Sequence, residues 1–197
     1  MYINDLHVLH YFFIGLLGLF VGQFLDWANI RLENHQKVIC KEFFKDYLPH
    51  LKVNSKLIYP MALIYIGLLY KFGFSLELIE FVILTPMFIA VFVIDYRKQI
   101  IPNRLSLAIF EVALIFAFIM GLPNFKEFLD RVLGLCAGGG IFLIITLIGG
   151  LIAGKDAMGY GDVKLMAGLG LVFGLISINM IAVLSFLLGS IISIILL

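Results

Sequence analysis

Long apolar runs broken by short polar stretches dominate the chain. A helix needs about 20 apolar residues to cross the ~30 Å hydrocarbon core of a bilayer. On that measure the pattern predicts spans at residues 8–25, 57–74, 76–94, 105–122 and 132–153. The tail, residues 163–197, is apolar almost throughout. As one helix it would rise about 50 Å, too far for a single crossing. Ser177 and Asn179 offer a turn, which divides the tail into two short spans. The expectation is an all-α, polytopic integral membrane protein of about seven helices, forming one membrane-embedded domain over residues 1–197.

Composition agrees: 62% of the 197 residues are hydrophobic and 14% are charged, far from a soluble globular domain. The net charge of +1 gives no electrostatic footprint for nucleic acid. Met1–His10 carries no Lys or Arg before the first apolar run, which argues against a cleaved signal peptide.

The basic residues set an orientation. Arg31, Lys37, Lys41, Lys45, Lys52 and Lys56 follow the first span, Arg97, Lys98 and Arg104 follow the third, and Lys155 and Lys164 follow the fifth. Lys71, Lys126 and Arg131 lie on the other side. The positive-inside rule then places the N-terminus outside and the three basic loops in the cytoplasm.

Residues 26–56 form the only sizeable soluble stretch. Phe43, Phe44, Tyr47 and Leu48 alternate there with Lys41, Lys45 and Asp46, the pattern of a short amphipathic helix on the inner leaflet. Cys40 and Cys136 are the only cysteines and are far apart. Cys40 with His35 and His50 lacks the paired spacing of a zinc site, so no metal is expected. Pro60 and Pro86 interrupt apolar runs as tolerated kinks. Gly134, Gly138–Gly140, Gly149 and Gly150 give the fifth span a small-residue face for helix packing. Glu77 and Glu80 fall near the outer interface, whereas Glu111 lies deeper and is a spare functional candidate.

The chemistry concentrates in two stretches. G-K-D-A-M-G-Y-G-D-V-K-L, from Gly154, places Lys155, Asp156, Asp162 and Lys164 between apolar runs, where ionisable groups are costly and by default functional. Gly159 and Gly161 bracket Tyr160 and allow a sharp, close-packed loop that delivers Asp162 to a helix start. V-I-D-Y-R-K-Q-I-I-P-N ends the third span, with Asp95 its first acid, Pro102 a stop, and Asn103 a cap for the next helix. Two spans lie between Asp95 and Asp162, so both acids fall on one membrane face. Two close carboxylates share a proton and can activate water with one oxygen pair and protonate a leaving group with the other. By spacing alone the same pair fits a proton or cation site in a small transporter or channel.

The motifs resemble the type IV prepilin peptidases, intramembrane aspartic proteases with a G-x-G-D signature. The likeness lies in I-D-Y-R-K-Q-I-I-P-N around Asp95, in M-G-Y-G-D-V-K-L around Asp162, and in G-Q-F-L-D-W-A-N-I-R-L at residues 22–32. The three occur in family order, and the resemblance covers nearly the whole chain. The resemblance implies an aspartic-type endopeptidase of the inner (plasma) membrane, with Asp95 and Asp162 as catalytic pair on the cytoplasmic side. Gly159, Gly161, Lys164 and Pro102 would support them. It also implies prepilin or pseudopilin precursors as partners: a short basic leader, a glycine at the cut, then a hydrophobic helix lying in the lipid bilayer. Many bacterial members carry paired C-x-x-C motifs in the first cytoplasmic loop and are N-methyltransferases that use S-adenosylmethionine. This loop has Cys40 alone, so zinc is not expected, proteolysis needs no cofactor, and S-adenosylmethionine-dependent methyl transfer is in doubt.

Overall fold

The computed structural model describes residues 2–3, 6–33, 47, 56–153 and 159–196. Helices account for nearly all of them. A two-residue antiparallel pairing of β1 (Tyr2–Ile3) with β2 (Leu6–His7) precedes the first helix. The chain divides into two compact units, Met1–Ile100 and Ile101–Leu197.

The first unit holds α1 (Val8–Glu33), α2 (Ile58–Phe72) and α3 (Leu76–Lys98). α1 outruns the span expected at 8–25 because the polar residues that follow are packed rather than solvated. Trp27 and Asn29 are buried, and the Arg31 guanidinium lies 5.1 Å from the Trp27 ring centre. Tyr47 packs edge-on to Phe24 and Trp27; its neighbours in the expected amphipathic helix, and Cys40, His35 and His50, lie outside the described residues. α1 and α2 run antiparallel at backbone contact. A Cβ on Gly18 would stand 2.6 Å from Ala62 Cα, and one on Gly22 2.8 Å from Ile58 Cα. Pro60 falls in the first turn of α2, where the missing N–H has no helical partner to lose, so the kink expected there is absent. Pro86 does lie inside α3. Ser75 starts α3 by accepting from the Leu78 N–H at 3.2 Å, the usual serine cap. Glu80, expected near the outer interface, is fully buried within this unit, while Glu77 is exposed.

The second unit holds α4 (Asn103–Gly121), α5 (Phe125–Ala153) and α6 (Tyr160–Leu196). α5 begins well before the expected residue 132, because the charged residues of its first turns are partnered. The buried Arg131 donates to Leu171 O at 3.3 Å and to Met120 Sδ at 2.9 Å, with Glu127 at 3.8 Å. α6 is broken at Gly174 (φ 76°, ψ 178°), not at Ser177 or Asn179, which lie exposed on a continuing helix. Gly138 of α5 packs against both Met166 and Ile178, and Phe142 clusters with Met166, Ile178 and Ala182. In an unbroken helix Met166 and Ile178 would stand ~18 Å apart. The chain therefore doubles back at Gly174, with residues 160–173 antiparallel to α5 and 175–196 parallel to it. The first arm rises only ~21 Å and the second ~33 Å. Of the expected small-residue face, Gly134, Gly138 and Gly139 meet α6, while Gly140 faces open space.

Five helices among the described residues are long and apolar enough to cross a membrane, and Ile58–Phe72 is a shorter apolar helix. The expected count of about seven crossings is not confirmed. The outward faces are rich in large apolar side chains such as Phe12, Phe20, Phe92, Leu151 and Ile176, the inverse of a water-soluble surface.

Candidate active site

Asp162 sits in the first turn of α6, half-buried, its N–H donating to Gly159 O at 3.1 Å. A first-turn acid complements the helix macrodipole, one local reason for the helix to start here. The two flanking glycines do different things. A Cβ on Gly159 would make only an ordinary 3.6 Å contact with Asp162 Oδ2. Gly161 packs against α4's entry, where a Cβ would stand 3.1 Å from Ile101 Cβ. Its lack of a side chain thus matters for close approach.

The α4 start completes this corner. Pro102 is the N-cap residue, and its carbonyl accepts from the N–H groups of Leu105 (3.0 Å) and Ser106 (3.1 Å). Asn103, expected as the cap, is instead the first helical residue, and its Oδ1 accepts from Lys164 Nζ at 3.0 Å. Proline in the cap position leaves the Asn103 side chain free to reach α6. Beside this pair opens a mostly apolar cavity of about 450 Å³ lined by Asn103, Ser106, Leu107, Phe110, Lys164 and Ala167. It could receive an apolar segment with a polar end.

Asp95 belongs to the first unit, in the last turn of α3, with its side chain exposed. A carboxylate there opposes the helix macrodipole, so its placement does not serve helix stability. Gln99, left-handed at φ 54°, closes α3 and donates its N–H to Asp95 O at 2.7 Å. Glu111 is exposed on α4, apart from the cavity lining. Lys155 and Asp156 lie outside the described residues. The sequence pattern holds no hint that Asn103 partners Lys164, or that Asp130, which accepts from the Leu175 N–H at 3.4 Å, and Arg131, which donates to Leu171 O, serve the α6 break. Both pairs join helices far apart in the chain.

Residues 82–194, more than half of the chain, match the type IV leader peptidase family. The chain belongs to that family. The matched region contains Asp95, Pro102, Gly159, Gly161, Asp162 and Lys164. The chain is 33% identical over 108 residues to the prepilin leader peptidase/N-methyltransferase of Aeromonas hydrophila, covering 55% of this chain and 36% of that protein. For the Neisseria gonorrhoeae protein of the same name the figures are 30% over 136 residues, 66% and 46%. For the Myxococcus xanthus (strain DK1622) protein they are 25% over 185 residues, 80% and 54%. The chain thus spans between about a third and about half of the length of these relatives. No solved structure matches. Family membership and five apolar helices together make this a multi-pass membrane protein.

Proposed function

We propose that this chain is an intramembrane aspartic endopeptidase that removes the short basic leader of type IV prepilin-like precursors at the cytoplasmic face of the inner (plasma) membrane. The observation that carries the proposal is the corner of the second unit. The I-P-N segment that follows Asp95 in the sequence packs on the turn that carries Asp162, through Ile101 against Gly161 and Asn103 against Lys164. The family supports the same chemistry, and the relatives are named for prepilin leader cleavage.

In this mechanism Asp95 and Asp162 share one proton, because two adjacent carboxylates do not both ionise cheaply. The ionised carboxylate takes a proton from water as its oxygen attacks the scissile carbonyl. The protonated carboxyl gives its proton to the leaving nitrogen as the C–N bond breaks. The substrate's hydrophobic helix lies in the bilayer beside the enzyme's own helices, and its leader stays in the cytoplasm. Co-expression with a prepilin, scoring leader removal on a gel, tests the proposal. An uncut precursor beside a membrane-inserted chain counts against it.

Topology gives a separate check. A reporter fused after Lys37 or Lys98 is expected to read cytoplasmic, and one at Asn124 external, from the basic bias of the loops. Opposite faces for Lys98 and Lys155 would keep the two aspartates apart and end the proposal.

In this proposal proteolysis needs no cofactor, zinc is not expected, and S-adenosylmethionine-dependent methyl transfer is in doubt. One thiolate, Cys40, with His35 and His50 lacks the paired spacing of a zinc site. Cleavage is expected to survive chelation, and N-methylation of the mature substrate is expected to be weak or absent. Mass spectrometry with S-adenosylmethionine supplied and a chelator present decides both. A one-methyl mass gain on the new N-terminus contradicts the second expectation, and loss of cleavage contradicts the first.

A further inference from the structure

We propose that Asn103 is a positioning residue for the Asp162 carboxylate and acts through Lys164; this rests on the proteolytic function proposed above. Helix geometry supplies the reason. Each residue advances about 100° around a helix, so Gly161, Lys164 and Gly168 fall within about 60° of one another and form one face of α6. All three meet α4 or its entry: Gly161 against Ile101, Lys164 Nζ on Asn103 Oδ1 at 3.0 Å, and Gly168 with a Cβ position 3.4 Å from Ile109 Cγ2. Asp162 is about 100° around from Gly161 and about 160° from Lys164, on the side of α6 turned away from that face. Whatever fixes the face against α4 therefore fixes the direction of the Asp162 carboxylate.

The two glycine contacts set the distance between the helices but resist rotation weakly, since van der Waals contacts have little directionality. The Lys164–Asn103 bond is directional and charge-assisted, and it lies one half-turn from Asp162. It joins the first residue of α4 to the second turn of α6, across 61 residues of chain. Pro102 makes it possible by occupying the cap position that Asn103 would otherwise fill. Without the Asn103 acceptor the exposed lysine turns to water or headgroups, and the start of α6 loses a directional tie to α4, while Met166 and Ala167 keep the rest of the arm on α5. A displacement near 1 Å at a reacting group can cost about 100-fold in rate.

The test uses the full chain in proteoliposomes with a prepilin substrate whose cleavage by the parent chain has been established. Asn103→Ala is expected to lower kcat by about 10–100-fold with KM within about two-fold. Asn103→Asp, whose carboxylate accepts from the same ammonium, is expected to restore most of kcat. The double variant Asn103→Ala/Lys164→Ala is expected to be no slower than Lys164→Ala alone, because the two residues act as one unit. Should Asn103→Ala not insert, Lys164→Met carries the same kcat-against-KM test. Parental kcat in Asn103→Ala, an Asn103→Asp variant as slow as the alanine, or additive losses in the double variant would each overturn the positioning role while leaving the protease intact. A parent chain that cuts no prepilin removes the proteolytic function and this role with it.

Discussion

Asp95→Asn and Asp162→Asn are each expected to lower leader cleavage by about 1,000-fold or more, with the protein still inserted and folded. Asparagine keeps the size and shape of aspartate but can neither take a proton from water nor hold one to give away. A mechanism that needs both acts loses everything when either carboxyl goes, so the double variant is expected to be no worse than the singles. Asp95 is exposed at a helix end, and in Asp162→Asn the backbone N–H keeps its bond to Gly159 O. Glu111→Gln is the matched control: Glu111 is exposed on α4, outside the cavity lining, and its loss is expected to leave cleavage unchanged. Leader removal at a tenth of the parental rate by either aspartate variant would remove that residue from the catalytic pair.

The sequence carried the helical class and the location of the polar corner, because both depend on local pattern. Apolar runs of about 20 residues have one low-cost structure in lipid, and glycines around an acid at the end of such a run are visible without a fold. Helix limits were less legible. Charged residues at 126–131 read as a loop, yet the buried Arg131 finds Leu171 O, Met120 Sδ and Glu127, so α5 runs through them. Asp26 and Arg31 read as the end of a span, yet α1 continues to Glu33 because Trp27 and Asn29 are packed inside. Partners of this kind come from distant parts of the chain, which periodicity cannot report. The break in α6 failed for another reason. Ser177 and Asn179 are polar, but polar side chains tolerate a helix, and reversal needs a backbone conformation that only glycine holds easily. Asn103 was read as a cap from its residue type, and its real partner, Lys164, follows from Pro102 having taken that place.

Gly174→Ala is expected to destabilise the second unit by about 2–6 kcal/mol, the largest stability loss of any single methyl addition proposed for this chain. Two costs combine. At φ 76° and ψ 178° the residue occupies a region essentially reserved for glycine, worth about 1–3 kcal/mol for any other residue. An added Cβ also runs into the Asp130 carboxylate, which serves the second arm of α6 by accepting from the Leu175 N–H at 3.4 Å. In a regular helix that N–H would bond Leu171 O; here Arg131 donates to Leu171 O at 3.3 Å. Adjacent residues of α5 thus satisfy both orphaned ends of the break, and displacing Asp130 exposes one of them at about 1–3 kcal/mol. Asp130→Ala alone is expected to cost about 1 kcal/mol, the ordinary loss of a helix cap. The double variant Asp130→Ala/Gly174→Ala should lose less than the sum of the two, because the carboxylate that clashes is gone. Gly140→Ala, on a helical residue facing open space, provides the comparison and is expected to be neutral or stabilising. Denaturation in detergent micelles, followed by circular dichroism, reads all four variants. A Gly174→Ala midpoint equal to that of Gly140→Ala would mean that α6 does not reverse at Gly174.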